Sequence, residues 1–142
     1  MNNLLDRFGA FFVQHLRDSM VDDLETLLDG SCKADDVQDL QIWLAGLGTK
    51  DKQMLRNLIE QISTTGMHDF LFALQEEADN GGDIRLLVNG EEVAKQSDGM
   101  HGELFGEEGW IVRHSRHHSQ QQIDLSRWAE ATISQIIDVP KA

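Results

Sequence analysis

Three histidines near the C-terminal end, His114-x-x-His117-His118, are the residues whose type and spacing most directly suggest chemistry. Neutral imidazoles bind zinc, nickel or copper, so a divalent transition metal is the cofactor such a cluster would take. The spacing sets a condition. On a helix, positions i, i+3 and i+4 share one face and three rings could converge. On a strand, His114 and His118 lie roughly 13 Å apart and His117 points to the opposite side. Trp110-Ile111-Val112 favours a strand running into the cluster, which argues against a preformed three-histidine site. A His-Glu-x-x-His arrangement, with two ligands and a base on one helix, is absent.

A second constellation is Asp98-Gly99-Met100-His101-Gly102-Glu103. Acid, imidazole and acid on a glycine-rich loop could act as general acid-base groups or as oxygen and nitrogen ligands. The competing reading is a turn in which the glycines supply positive φ and Asp98 bonds local amides. His101 and Glu103 joined to His114 across adjacent strands would form a metal-binding or hydrolytic site. Trp110 reads either as a core anchor or as a sheet-edge residue that holds a partner. Asp98, His101, Glu103 and Trp110 are therefore the expected binding surface, and His114, His117 and His118 the candidate metal ligands. No nucleophile elbow, dinucleotide fingerprint or calcium loop occurs. Cys32, the single cysteine, excludes an intramolecular disulfide and any multi-cysteine zinc site.

The elements that must position these groups are legible as hydropathy patterns. From Asn2 to Asp29 the residues Leu4, Leu5, Phe8, Phe12, Leu16, Met20, Leu24, Leu27 and Leu28 form one helical stripe. Asn3 caps it and Gly30 stops it, with a bend near Asp18 as an alternative. A second helix is expected from about Ala34 to Ala45, burying Val37, Leu40, Trp43, Leu44 and Leu47. A third begins after Thr49 and breaks at Ser63-Thr64-Thr65-Gly66, and a fourth runs from about Met67 to Ala78. Seven of the twelve glycines lie between Gly81 and Gly109, where the pattern changes to short strands. Ile84–Val88, a turn at Asn89-Gly90, Glu91–Gln96, Gly102–Phe105 and Trp110–Arg116 read as a meander. A C-terminal helix over 123–138, capped by Asp124, carries Leu125, Trp128, Ala129, Thr132, Ile133, Ile136 and Ile137 on one face.

The expected fold is thus α+β: four or five helices packed on a small antiparallel three- or four-stranded β-meander, with a C-terminal helix, in a single domain over 1–142. Its parts are a helical region 1–80, the meander 81–118 and the helix 123–138. The chain's formal charge is −13, with 22 acids and 8 bases in residues 1–109 but 3 acids and 4 bases thereafter. Binding to a nucleic-acid backbone is disfavoured, since that requires clustered Lys and Arg. No apolar run approaches the length of a membrane span, and the N-terminus does not read as a signal peptide. A cytoplasmic protein is expected, acting without catalysis and without a cofactor as a protein-binding or inhibitory, immunity-type module. The expected partner is a protein, and the charge favours a basic one. The alternative is the metal-dependent domain built on His101, Glu103 and the late histidines. A homodimer through the first helix or a sheet edge is a further expectation.

Overall fold

The computed structural model describes residues 3–117; His118 and the expected helix over 123–138 lie outside them. The fold is essentially all-α. Helix accounts for 70% of the described residues, and the only strands among them are two residues long. The expected α+β meander is thereby overturned.

Helix α1 (Leu4–Phe12) starts where Asn3 Oδ1 accepts the Asp6 amide at 2.7 Å, satisfying one of the unpaired donors of the first turn. It runs through a π-helical segment, Val13–Asp18, into α2 (Ser19–Leu28) without leaving helical geometry. The π segment shifts the phase of the buried face. Up to Phe12 the core takes Leu5, Phe8 and Phe12; beyond it the buried positions are Val13, Arg17, Asp18, Val21 and Leu28. The uninterrupted stripe read from sequence would have buried Leu16, which is 37% exposed. One extra residue per turn rotates everything downstream by about one position.

After a turn at Gly30 (φ 72°), a 3-10 turn at Asp35–Val37 leads into α3 (Gln38–Ala45). Helix α4 (Thr49–Asp79) is a single 31-residue helix, where the sequence suggested two. The threonine-rich segment does not break it, because Ser63 and Thr64 bond the Glu60 carbonyl at 3.1 and 2.7 Å and stay helical. Beyond α4, strands β1 (Leu87–Val88) and β2 (Glu91–Glu92) form a two-stranded hairpin. Its turn is the expected one, with positive φ at Asn89 and Gly90. The remaining expected strands are helical turns: 3-10 at Val93–Gln96 and Met100–Leu104, and α5 at Trp110–His114. With no third strand beside it, the hairpin is too short to stand as a sheet.

One core unites these pieces, formed by Leu5, Phe8, Phe12 and Val13, by Met67, Leu71 and Leu74 of α4, and by Val93, Met100, Leu104 and Trp110. Trp110 is 1% exposed and lies edge-on to Phe8 at 5.9 Å. It also presses on Gly9, whose absent side chain makes room: a Cβ there would overlap the indole ring. Burying the indole removes on the order of 200 Å² from water, an upper bound of about 5 kcal/mol.

Candidate binding surface

His114 and His117 are held apart by separate carboxylates. His114 Nε2 lies 3.0 Å from Asp6 Oδ1, and His117 Nε2 lies 2.6 Å from Asp22 Oδ1. Asp6 and Asp22 are sixteen residues apart on nearly continuous helix, about 24 Å along its axis. These two imidazoles therefore serve different turns of α1–α2 and do not converge. Among the described residues, no three ligating side chains come together.

What the histidines join is a clamp that fastens the segment after α5 to the first helices. Asp18, fully buried, accepts Ser115 Oγ at 2.6 Å and the Arg116 amide at 2.9 Å. Arg17, 3% exposed, donates Nε to Thr64 Oγ1 at 3.1 Å and Nη1 to Ser115 Oγ at 2.8 Å and to the His117 carbonyl. Burial pushes the Arg17 guanidinium down, while Glu60 and Asp18 push it back up without cancelling the effect. Arg116 pairs with Asp22 at 2.7 Å, and Arg113 pairs with Asp6. The His117 hydrogen bond and the charge of Arg116 hold the Asp22 carboxyl below the usual aspartate value. Burial raises Asp6, but its contacts with His114 and Arg113 together outweigh that and leave it lowered. The apolar stripe of the sequence leaves Arg17 and Asp18 outside it. Only the π-helical phase shift turns them inward.

The Asp98–Glu103 loop is a locked turn. Glu103 Oε1 accepts Ser97 Oγ at 2.8 Å, and Ser97 Oγ accepts the Gly99 amide at 3.1 Å. Ser97, rather than Asp98, supplies the local amide bond, and Asp98 is exposed. The His101 ring stands 5.2 Å from that of His68 and 5.1 Å from Phe72, and its buried Nδ1 has no partner among the described residues. His101, Glu103 and His114 are not brought together: His101 faces α4, while His114 faces α1 through Asp6. Trp110 sits in the core, so it presents no edge to a partner. An open groove of about 310 Å³ between α1 and the hairpin is lined by Arg7, Phe8, Phe11, Leu86, Leu87 and Val88, with Arg7 its one titratable side chain among the described residues.

The surface that stands out is one that the sequence pattern assigns to the core. Helix α3 turns only Gln41 and Leu44 fully inward, at 5% and 3% exposure. Gln41 fixes this rotation because its amide brackets Cys32, accepting the backbone N–H at 3.0 Å and donating to the carbonyl at 2.8 Å. Trp43, Ile42 and Leu40 are left outward at 59%, 72% and 43% exposure. Asp39 on α3, and Asp35 and Asp36 on the 3-10 turn that leads into it, are exposed. Spacings of three and four align Asp39 with Ile42 and Trp43, and Leu40 with Trp43. The result is an aromatic and aliphatic ridge headed by three carboxylates. Two apolar phases compete in this helix, and sequence periodicity selects the more hydrophobic one. The signal it passes over is Gln41, a polar residue able to satisfy a loop backbone.

No known protein family, curated protein or solved structure matches this chain. No helix among the described residues is long and apolar enough to cross a membrane.

Proposed function

We propose that this protein is a non-catalytic, protein-binding module whose α3 face takes a basic protein partner, in the manner of an inhibitor or immunity protein acting in the cytoplasm. The observation that carries the reading is the exposed Trp43–Ile42 ridge beside Asp35, Asp36 and Asp39. Interfaces concentrate their energy in a few aromatic anchors ringed by polar groups. Solvent-facing tryptophan and isoleucine cost solubility unless something covers them. The carboxylates supply the complementary half. They would steer a cationic partner at rates that fall with salt, and the chain's −13 charge extends that attraction over the whole body. The sole cysteine, Cys32, a free thiol, fits a reducing compartment. Among the described residues no cluster of ligating side chains favours the metal-dependent alternative.

The test is capture from extracts of the source cell on immobilised full-length protein, with quantitative comparison of three baits. The wild-type chain is expected to retain a basic protein at low salt and release it as salt rises. Trp43→Ala is expected to lose it at all salt concentrations. The triple variant Asp35→Asn, Asp36→Asn, Asp39→Asn is expected to lose the salt dependence and most of the capture. Identical capture by all three baits would refute the assignment.

A further inference from the structure

The groove between α1 and the hairpin joins three features that the α3 face does not use. The first is backbone. Val93 N–H donates to the Leu86 carbonyl at 3.0 Å, Val88 pairs with Glu91, and Leu87 stands opposite Glu92. Bonded and non-bonded pairs alternate along an antiparallel ladder, so Leu86 and Val88 bond to β2 while the N–H and C=O of Leu87 point away from it. No described residue bonds either group. Strand side chains alternate between faces, yet Leu86, Leu87 and Val88 all line the groove, so the edge of β1 borders it. The second feature is the apolar wall supplied by α1. Phe8 and Phe11 line it; Phe11 is 60% exposed and its ring is braced on His15 at 4.5 Å. The third is Arg7. Arg17, Arg56, Arg85, Arg113 and Arg116 each meet a carboxylate, whereas Arg7 meets none among the described residues. Nor does the described lining of the groove contain an acid to offset it.

We propose that this groove takes an extended segment of another protein, added as a strand to the free edge of β1, with an apolar side chain on Phe11 and a carboxylate side chain on Arg7. In strand addition the main-chain bonds hold the segment and alternate side chains select it. The dimensions agree. Arg7 and Phe11 are one turn apart, about 6 Å along α1. Alternate residues of a strand are about 6.7 Å apart. An apolar-x-acid pattern therefore matches the wall, and the middle residue faces Leu87, whose N–H and C=O it can pair. A groove of about 310 Å³ is at the small end for a ligand site and suits two side chains. A free amphipathic acid would meet Phe11 and Arg7 but leave the Leu87 groups unpaired. A second copy on this edge would bring two bodies of charge −13 together.

The experiment titrates the full chain, labelled with nitrogen-15, with blocked hexapeptides of the form acetyl-Thr-Val-X-Thr-Z-Thr-amide. X is Val, Leu or Phe, and Z is Glu, Gln or Lys. The Glu peptides are expected to shift the amides of Arg7, Phe11 and Leu87 and to bind at least tenfold tighter than their Gln counterparts, the scale of a charge-assisted hydrogen bond. Arg7→Gln, at an exposed position, should erase that preference. Exchange of the Leu87 amide should slow at least tenfold in the complex, and N-methylation of the fourth peptide residue should abolish binding. Absence of shifts from every peptide at about 1 mM would overturn the proposal. So would a preference for Lys, which would make the charge of the whole body the selector, or unchanged Leu87 exchange. Equal shifts from decanoate, with N-methylated peptides binding as well as their parents, would assign the groove to a free acid instead. Shifts that follow protein concentration without peptide would assign it to a second copy. No readout involves α3, so failure here leaves the proposed partner face standing, and the converse also holds.

Discussion

At the scale of single residues, the described fold depends on two close fits. Asp18 is a fully buried carboxylate whose acceptor sites go to Ser115 and Arg116, with buried Arg17 alongside. Removing one member of such a set leaves an uncompensated charge behind, and that cost outweighs the loss of an exposed pair. Asp18→Ala should therefore lower unfolding free energy by about 3 kcal/mol. Asp22→Asn, at a carboxylate 46% exposed, should cost less than about 1 kcal/mol. Urea titration of the two variants decides the matter, and equal effects would sink the clamp as described. The second fit is Gly9 under Trp110. A methyl there would have to displace the indole, so Gly9→Ala should destabilise by about 2 kcal/mol and alter the tryptophan emission. A neutral Gly9→Ala would mean that the helix and the indole are not in contact.

At the scale of elements, α4 and the α5 clamp each make a checkable statement. Gly66 lies in the interior of α4 with open space where a methyl would project and no positive φ. Gly66→Ala should stabilise by up to about 1 kcal/mol, since helical glycine carries an entropic cost without a compensating role here. A destabilising result would favour the break at Ser63–Gly66 that the sequence suggests. The clamp adds a pH dependence. Asp6 and Asp22 both titrate below the usual aspartate value of 3.8 in the folded chain. Their contribution is therefore complete above that value and is lost as pH falls through the lowered folded values. Hydrogen-exchange protection at residues 113–117 should hold at pH 5 and collapse in acid below about 3.8. Protection that falls instead between pH 7 and 5 would rule out these carboxylates as the cause. The pattern of elements explains what the sequence could and could not convey. Asn3, Gly30 and Asn89-Gly90 were legible because caps and turns are local chemistry. Periodicity made the helices legible as helix, although it divided α4 in two at Ser63–Gly66. The meander was not, because short β-branched and glycine-punctuated runs fit 3-10 turns equally well once each packs on a helix. Leu104 and Trp110 bury as single anchors instead of alternating along a strand. The rotation of α3 and the register slip at Val13–Asp18 were hidden for a different reason. Both are fixed by polar contacts, of Gln41 with Cys32 and of Arg17 with Thr64, that link residues distant in sequence.

At the scale of the whole molecule, the chain combines a strong negative charge with an all-α body whose first and last described segments are locked together. The sequence pattern points to the glycine- and histidine-rich stretch as the seat of function. In the fold His114 and His117 act as fasteners and His101 packs on aromatic rings, and the exposed, chemically distinctive surface moves to α3. The proposed recognition of a protein surface rests on a tryptophan and an isoleucine facing solvent beside three carboxylates. Contact from α3 itself is the central claim, and photo-crosslinking tests it most directly. A photoreactive amino acid is placed at Ile42 of the full chain in its own cell, with the same group at exposed Glu76 on α4 as control. The expected result is a discrete adduct with a basic protein from position 42, absent from position 76 and abolished by Trp43→Ala. No adduct from position 42, or the same adducts from both positions, would contradict the account.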